Sequence, residues 1–300
     1  MQTQERVWIF SLMVLFLLAM GVSVFAPQIR KTLPLKTEFQ PSKGVGVLYV
    51  YGPLETEASG GFFDPSGTDS LIDALEDMKT NPRVKALVLR INSPGGTVGA
   101  SQELFRELDR FKRETHKPIV VSIADMGTSG AYWVALSGDK ILANPGSMVG
   151  NIGVIMGNYD LSDLQQKFGI GFNTIKSGPY KDVLSSWRKL TPNDKAVLQA
   201  MIQDVYEQFV NQVKVSRKLS DQRAHDLSDG RIYTGRQAKE AGLIDGFGGL
   251  NDAITLAGSL AGIKGKPDII SNDHSPAFNW RQLLRNQAVF QGQGPIRGFQ

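Results

Sequence analysis

The chain contains no cysteine, which removes disulfides and thiolate metal sites from consideration and leaves the redox compartment open. Histidine is almost as scarce. There are three, His116, His225 and His274, and none falls between Lys117 and Ala224, so a nucleophile in that stretch has no nearby imidazole in sequence to take its proton. An excess of one charge is also lacking. The formal net charge is +4, with basic residues scattered among acidic ones, a pattern that fits a solvated surface near anionic lipid headgroups and not a nucleic-acid partner. There is no internal repeat at a solenoid period. The Gly-rich stretch Gly246-Phe247-Gly248-Gly249-Leu250 lacks the G-x-G-x-x-G spacing of a dinucleotide loop and reads as a turn.

Residues 7–26 (VWIFSLMVLFLLAMGVSVFA) are twenty residues without a charge, the length a helix needs to cross a bilayer. Val24-Phe25-Ala26 followed by Pro27 is a poor cleavage site, so the run is expected to be an uncleaved single-pass anchor behind a short flank, residues 1–6. Arg30, Lys31 and Lys36 follow the run, whereas Arg6 before it is offset by Glu5; charge bias alone therefore leans weakly toward a cytoplasmic body. Residues 27–43 carry three prolines and no periodicity and read as a linker.

A domain is expected over 44–262. Strand-like runs at 44–52, 84–92 and 118–124 alternate with helical stripes at 68–81 and 100–114, which implies βαβ units and an α/β core. The stretches 140–145 and 148–157 also read as strands. Thr191-Pro192-Asn193-Asp194 combines a capping threonine, a proline at the first helical position and an acid at the third, ahead of what should be the longest helix. Residues 263–300 lose pattern and read as a partly disordered tail, apart from a possible short amphipathic helix at 280–290.

Two glycine-rich turns carry the chemistry. Asn92-Ser93-Pro94-Gly95-Gly96 ends one strand, where proline fixes one φ and side-chain-free backbone lets a substrate carbonyl approach a main-chain N–H. Gly127-Thr128-Ser129-Gly130-Ala131 ends the next strand and opens a helix, placing Ser129 where free N–H groups and the helix dipole favour developing negative charge. Consecutive strand ends of an α/β sheet open on the same edge, so the two turns should face one cleft. A nucleophile elbow completed by a later Asp and His would have to use His225 or His274, both in strongly polar surroundings. A lysine serves as base only when desolvation and neighbouring groups bring an amine from ~10.4 down toward ~7–8. Lys140, Lys167, Lys176, Lys181 and Lys189 follow the serine; Lys181, in the shaped loop SGPYKD before the capped helix, stands out without excluding the others.

Four stretches in order, INSPGGTVGAS, GTSGAYWVALSGDKILANPGSMVGNIGVI, SGPYKD and GRIYTGRQAKEAGLIDGFGGL, resemble the short, membrane-anchored form of signal peptide peptidase A. The resemblance implies a ClpP/crotonase-like α/β fold of repeated β-β-α units and a serine endopeptidase without metal or cofactor. It implies Ser129 as nucleophile and Lys181 as general base, 52 residues apart (181 − 129), with an oxyanion hole from the N–H groups of Gly96 and Gly130. Asn151 stands where the family commonly has a serine that orients the lysine, and Ala131 replaces a family glycine; both leave room for altered rate or specificity. The resemblance further implies a homo-oligomeric ring, a protease domain on the extracytoplasmic face of the inner membrane against the charge lean, and remnant signal peptides as substrates. Val98, Val154 and Ile155 are candidate walls of an apolar cleft. The rival expectation is a non-catalytic scaffold or peptide-binding protein of the same fold, with Asn151 misplacing Lys181. A ClpP-type triad would need a histidine that the chain lacks there, and an acyl-CoA enzyme of the crotonase type has no need of the serine and lysine together.

Overall fold

A computed structural model describes residues 42–56 and 67–271. The expected anchor at 7–26, most of the linker and the tail from 272 lie outside the described residues. Among the described residues no helix is long and apolar enough to cross a membrane.

The first half of the domain alternates strictly. Strand β1 (Gly44–Tyr51) is followed by α1 (Thr68–Thr80), β2 (Val84–Ser93), α2 (Val98–Thr115) and β3 (Ile119–Thr128). All three strands pair in parallel, in the order β3-β2-β1. Both faces of these strands are apolar, as parallel strands covered by crossover helices require. On one face Leu87, Leu89, Ile91, Val121 and Ile123 pack with Leu71 and Leu75 of α1 and Leu104, Leu108 and Phe111 of α2. On the other, Val45, Val47, Ala86, Val88 and Val120 meet Ala253, Ile254 and Ala257 of a late helix, α8 (Leu250–Leu260).

Beyond β3 the sheet forks. The early part of β3 pairs with β4 (Lys140–Ala143), which in turn pairs with the short β7 (Gly246–Phe247). The last residues of β3 pair instead with β5 (Met148–Gly150), and β5 pairs antiparallel with β6 (Ile232–Thr234). The helix α3 (Gly130–Ala135) leaves β3 directly at this fork. Between β5 and β6 lie α4 (Ser162–Lys167), α5 (Pro192–Arg217) and α6 (Asp221–Asp226), and α7 (Gly235–Ala241) precedes β7. This mixed α/β arrangement fits a ClpP-like fold.

Two expectations are corrected. The apolar run 148–157 yields only three residues of strand; from Ile155 onward it is exposed, with no described element covering it. The domain also continues past 262, since β8 (Asp268–Ser271) adds a parallel edge strand beside β1. Its residues are mostly exposed, which is why no buried-strand pattern marks it. The capping box at Thr191 and Asp194 forms, and α5 is the longest helix described.

Candidate active site

Ser129 is the residue between β3 and α3, with φ 52° and ψ −127°. A non-glycine residue with positive φ is held there against its own preference, a feature that concentrates at functional sites. The surroundings enforce it: Ser129 N–H donates to the Gly150 carbonyl at 2.8 Å, and the Ser129 carbonyl accepts from Tyr132 and Trp133 at 2.9 and 3.1 Å. Behind it α3 is wholly buried, with the Tyr132 hydroxyl donating to the Leu243 carbonyl at 2.8 Å and Trp133 stacked on Phe209 of α5 at 4.6 Å.

The NSPGG turn sits directly against this elbow. Opposite Asn92 the register between β2 and β3 slips, and the Asn92 side chain bridges the gap by accepting from Met126 N–H at 3.2 Å. Gly95 has φ 97°, and a Cβ there would lie 2.7 Å from Gly130 N and 2.8 Å from Ser129 Cβ. A Cβ on Gly130 would overlap Ser101 Oγ and stand 3.3 Å from Gly96 N. The chain at Leu54 pins the turn from outside, donating to the Gly95 carbonyl at 2.9 Å and accepting from Thr97 N–H at 2.8 Å. Thus the two turns meet at one place, as their shared strand edge predicts. Among the described residues neither the Gly96 nor the Gly130 N–H is hydrogen-bonded, and the Ser129 hydroxyl has no hydrogen-bond partner.

The other expected site residues divide. Val98 opens α2 next to Gly96, and Val154 is half-buried. Ile155 is fully in solvent at 97% exposure. Asn151, at φ 51°, donates its side-chain amide to the Gly230 carbonyl at 2.6 Å and its backbone N–H to the Arg231 carbonyl at 2.9 Å. Lys181 is exposed in a chain of turns, and its ammonium makes no hydrogen bond to Ser129 or to any other described residue. Ser129 and Lys181 therefore share no hydrogen bond within the chain. The segment that carries Lys181 also exposes Tyr159, Phe168, Ile170, Phe172, Ile175 and Trp187.

Sequence reasoning overlooked the polar clamp beside Lys181. Arg188 donates to Asp182 at 2.9 Å and to Asp194 at 2.6 Å, while Lys176 reaches Asp182 at 2.7 Å. Hydrogen bonds from Arg188, then Lys176, bring the Asp182 carboxyl down to about 2. Arg188 and the Thr191 cap likewise hold Asp194 well below the ordinary carboxylate range. The signal was an arginine three residues before the capping threonine and six before the capping acid. His225 behaves as a surface residue: it bonds the Asp221 carbonyl at 3.0 Å and Glu207 at 3.1 Å, and both contacts raise its pKa. His116 caps the end of α2. Among the described residues no cluster of three or more His, Asp or Glu could hold a metal ion.

Residues 111–264 match the profile of peptidase family S49. A Synechocystis protein named as a protease is 41% identical over 210 residues, 69% of this chain and 74% of its own length. The chain belongs to peptidase family S49. A protease-named protein of Methanocaldococcus jannaschii is 39% identical over 199 residues, 66% of this chain and 63% of the relative. A protein of Enterococcus faecium named as a signal peptide peptidase, SppA, is 34% identical over 185 residues, 62% of this chain and 54% of that one. The family match runs from the end of α2 through α8 and includes the Ser129 elbow, the Lys181 turn and the capped helix α5. The chain is a serine peptidase resembling signal peptide peptidase A.

Proposed function

We propose that the protein is a membrane-anchored Ser-Lys endopeptidase that hydrolyses apolar, extended peptides, remnant signal peptides among them. The observation that carries this reading is the strained Ser129 elbow packed against the NSPGG turn, with two unengaged main-chain N–H groups beside the serine. In the reaction Lys181, as the free amine, takes the Ser129 hydroxyl proton while Oγ attacks the peptide carbonyl. The N–H groups of Gly96 and Gly130 hold the oxyanion. The lysine then gives its proton to the leaving amine, and a water activated in the same way releases the acyl group and regenerates the hydroxyl.

Because Lys181 stands free on an exposed apolar segment, the reading includes assembly into a homo-oligomeric ring. A neighbouring copy covering Ile155, Phe172, Ile175 and Trp187 would desolvate this region, and desolvation favours the neutral amine. Asn151 has its amide nitrogen engaged by Gly230, which leaves its oxygen available to the lysine. Val98, Val154 and Ile155 form part of the apolar substrate cleft. The run at 7–26 anchors the protein in the inner membrane with the domain on the extracytoplasmic side.

The freedom of Lys181 also favours a second reading, a scaffold of the same fold that binds membrane peptides without cleaving them. Full-length protein reconstituted in vesicles and given a synthetic signal peptide separates the two. The peptidase reading expects cleavage that is lost in Ser129→Ala and Lys181→Ala; binding without cleavage by the wild type would establish the scaffold.

A further inference from the structure

The Lys181 ammonium has no hydrogen bond to a described residue to set its position, so its backbone must do so. That backbone is a run of single turns, in which Lys181 N–H reaches the Gly178 carbonyl at 3.3 Å, Val183 the Tyr180 carbonyl at 3.1 Å, and Ser185 the Asp182 carbonyl at 2.9 Å. Such isolated bonds hold a loop weakly compared with a helix or a ladder. The next residue, Asp182, is different: its side chain is 12% exposed and is gripped by Arg188 and Lys176. Arg188 continues to Asp194, whose side chain is 3% exposed and locked to Thr191 in the capping box of α5. The same α5 places Phe209 on Trp133 of α3, the helix that starts at Ser129. A continuous set of contacts thus runs from the lysine turn to the nucleophile elbow, and among the described residues Arg188 is the only side chain hydrogen-bonded to both Asp182 and Asp194.

We infer that Arg188 is a positioning residue for Lys181, its planar guanidinium bridging Asp182 and Asp194 so that the lysine turn is fixed on the helix that backs the nucleophile. Two features of the arginine support this. Its two terminal nitrogens grip Asp194 as a fork, at 2.6 and 3.3 Å, and one of them also reaches Asp182 at 2.9 Å, a geometry that a point-charge ammonium cannot reproduce. Its Nε–H is buried and without a partner, so the bridge is kept even though one donor goes unsatisfied. Asp182 and Asp194 are positioning residues in the same sense.

This inference rests on the proposed role of Lys181, and the test keeps the two apart. The assembled full-length protein is treated with a fluorophosphonate, and the rate of Ser129 modification is followed from pH 5 to 10 in wild type, Lys181→Ala, Arg188→Gln, Arg188→Lys and Asp182→Asn. Arg188→Gln should slow modification on the order of 10- to 100-fold, the scale expected when a reacting group is displaced by about an ångström. Its pH profile should shift as well, while oligomer mass stays close to wild type; the unpaired Asp182 and Asp194 carboxylates should lower the thermal midpoint without unfolding the protein at the assay temperature. Arg188→Lys should recover only part of the rate. Asp182→Asn, which keeps the side-chain shape, should show the same loss and carries the test if Arg188→Gln fails to fold. Wild-type rates and profiles in folded Arg188→Gln, or in Asp182→Asn where the arginine variant does not fold, with Lys181→Ala inert, would overturn the positioning role and leave the dyad standing. A wild-type rate in Lys181→Ala would overturn both.

Discussion

Replacing Gly95 by alanine puts the close approach of the two turns to a quantitative test. The backbone there has φ 97°, and the new Cβ would stand 2.7 Å from Gly130 N, 2.8 Å from Ser129 Cβ and 2.8 Å from the Thr128 carbonyl oxygen. A non-glycine residue in such a conformation costs about 1–3 kcal/mol. Overpacking against atoms that cannot swing away adds about 1–3 kcal/mol. The expected total is about 2–6 kcal/mol, which at roughly 2–4 °C per kcal/mol for a domain of this size lowers Tm by at least about 4 °C. The displaced atom is the nitrogen of one of the two proposed oxyanion donors, so fluorophosphonate modification of Ser129 should also fall on the order of 100-fold. Gly99→Ala is the control: no atom lies within 4 Å of its Cβ, the site is within α2, and the change should be neutral or stabilise by up to about 1 kcal/mol. A Gly95→Ala protein with the Tm and the labelling rate of the wild type would refute the packed-turn account.

Three further outcomes follow from the contacts described. The Asp182 carboxyl lies at about 2 in the folded protein, below its unfolded value, so the stability it contributes is present above about pH 4 and is lost as pH falls toward 2; hydrogen exchange across residues 176–194 should rise in that window, and Arg188→Gln should show raised exchange already at neutral pH. Tyr132→Phe removes the donor to the buried Leu243 carbonyl and should cost about 1–3 kcal/mol, read as a fall in denaturation midpoint with unchanged slope. Ile175→Glu and Trp187→Glu place charges on the exposed apolar segment and should lower the assembly mass in analytical ultracentrifugation without changing monomer stability.

The parts of the fold that depend on local chemistry were legible from sequence. The Thr191-Pro192-Asp194 cap, the aliphatic strands β1 to β3 and the Gly-Thr-Ser-Gly elbow each follow from residues adjacent in the chain. Long-range arrangement was less accessible. Residues 148–157 are apolar enough to read as one buried strand, yet the strand stops at Gly150 and the run ends exposed from Ile155 onward, with no described element over it. Asp268–Ser271 forms an exposed edge strand whose partner is over 200 residues away, and burial leaves no pattern in it. At the site, the meeting of Gly95, Gly130 and Ser129 was foreseeable from the rule for strand ends. That Lys181 and Ser129 share no hydrogen bond was not, because sequence spacing carries no information about which way an exposed turn faces.

The most direct test of the Ser-Lys chemistry is mass spectrometry of the assembled full-length protein after reaction with a fluorophosphonate, with Lys181→Ala treated in parallel. Modification confined to Ser129 that collapses in the lysine variant is the predicted result. A wild-type protein that is folded and assembled but leaves Ser129 unmodified, or a lysine variant that reacts equally fast, would contradict it.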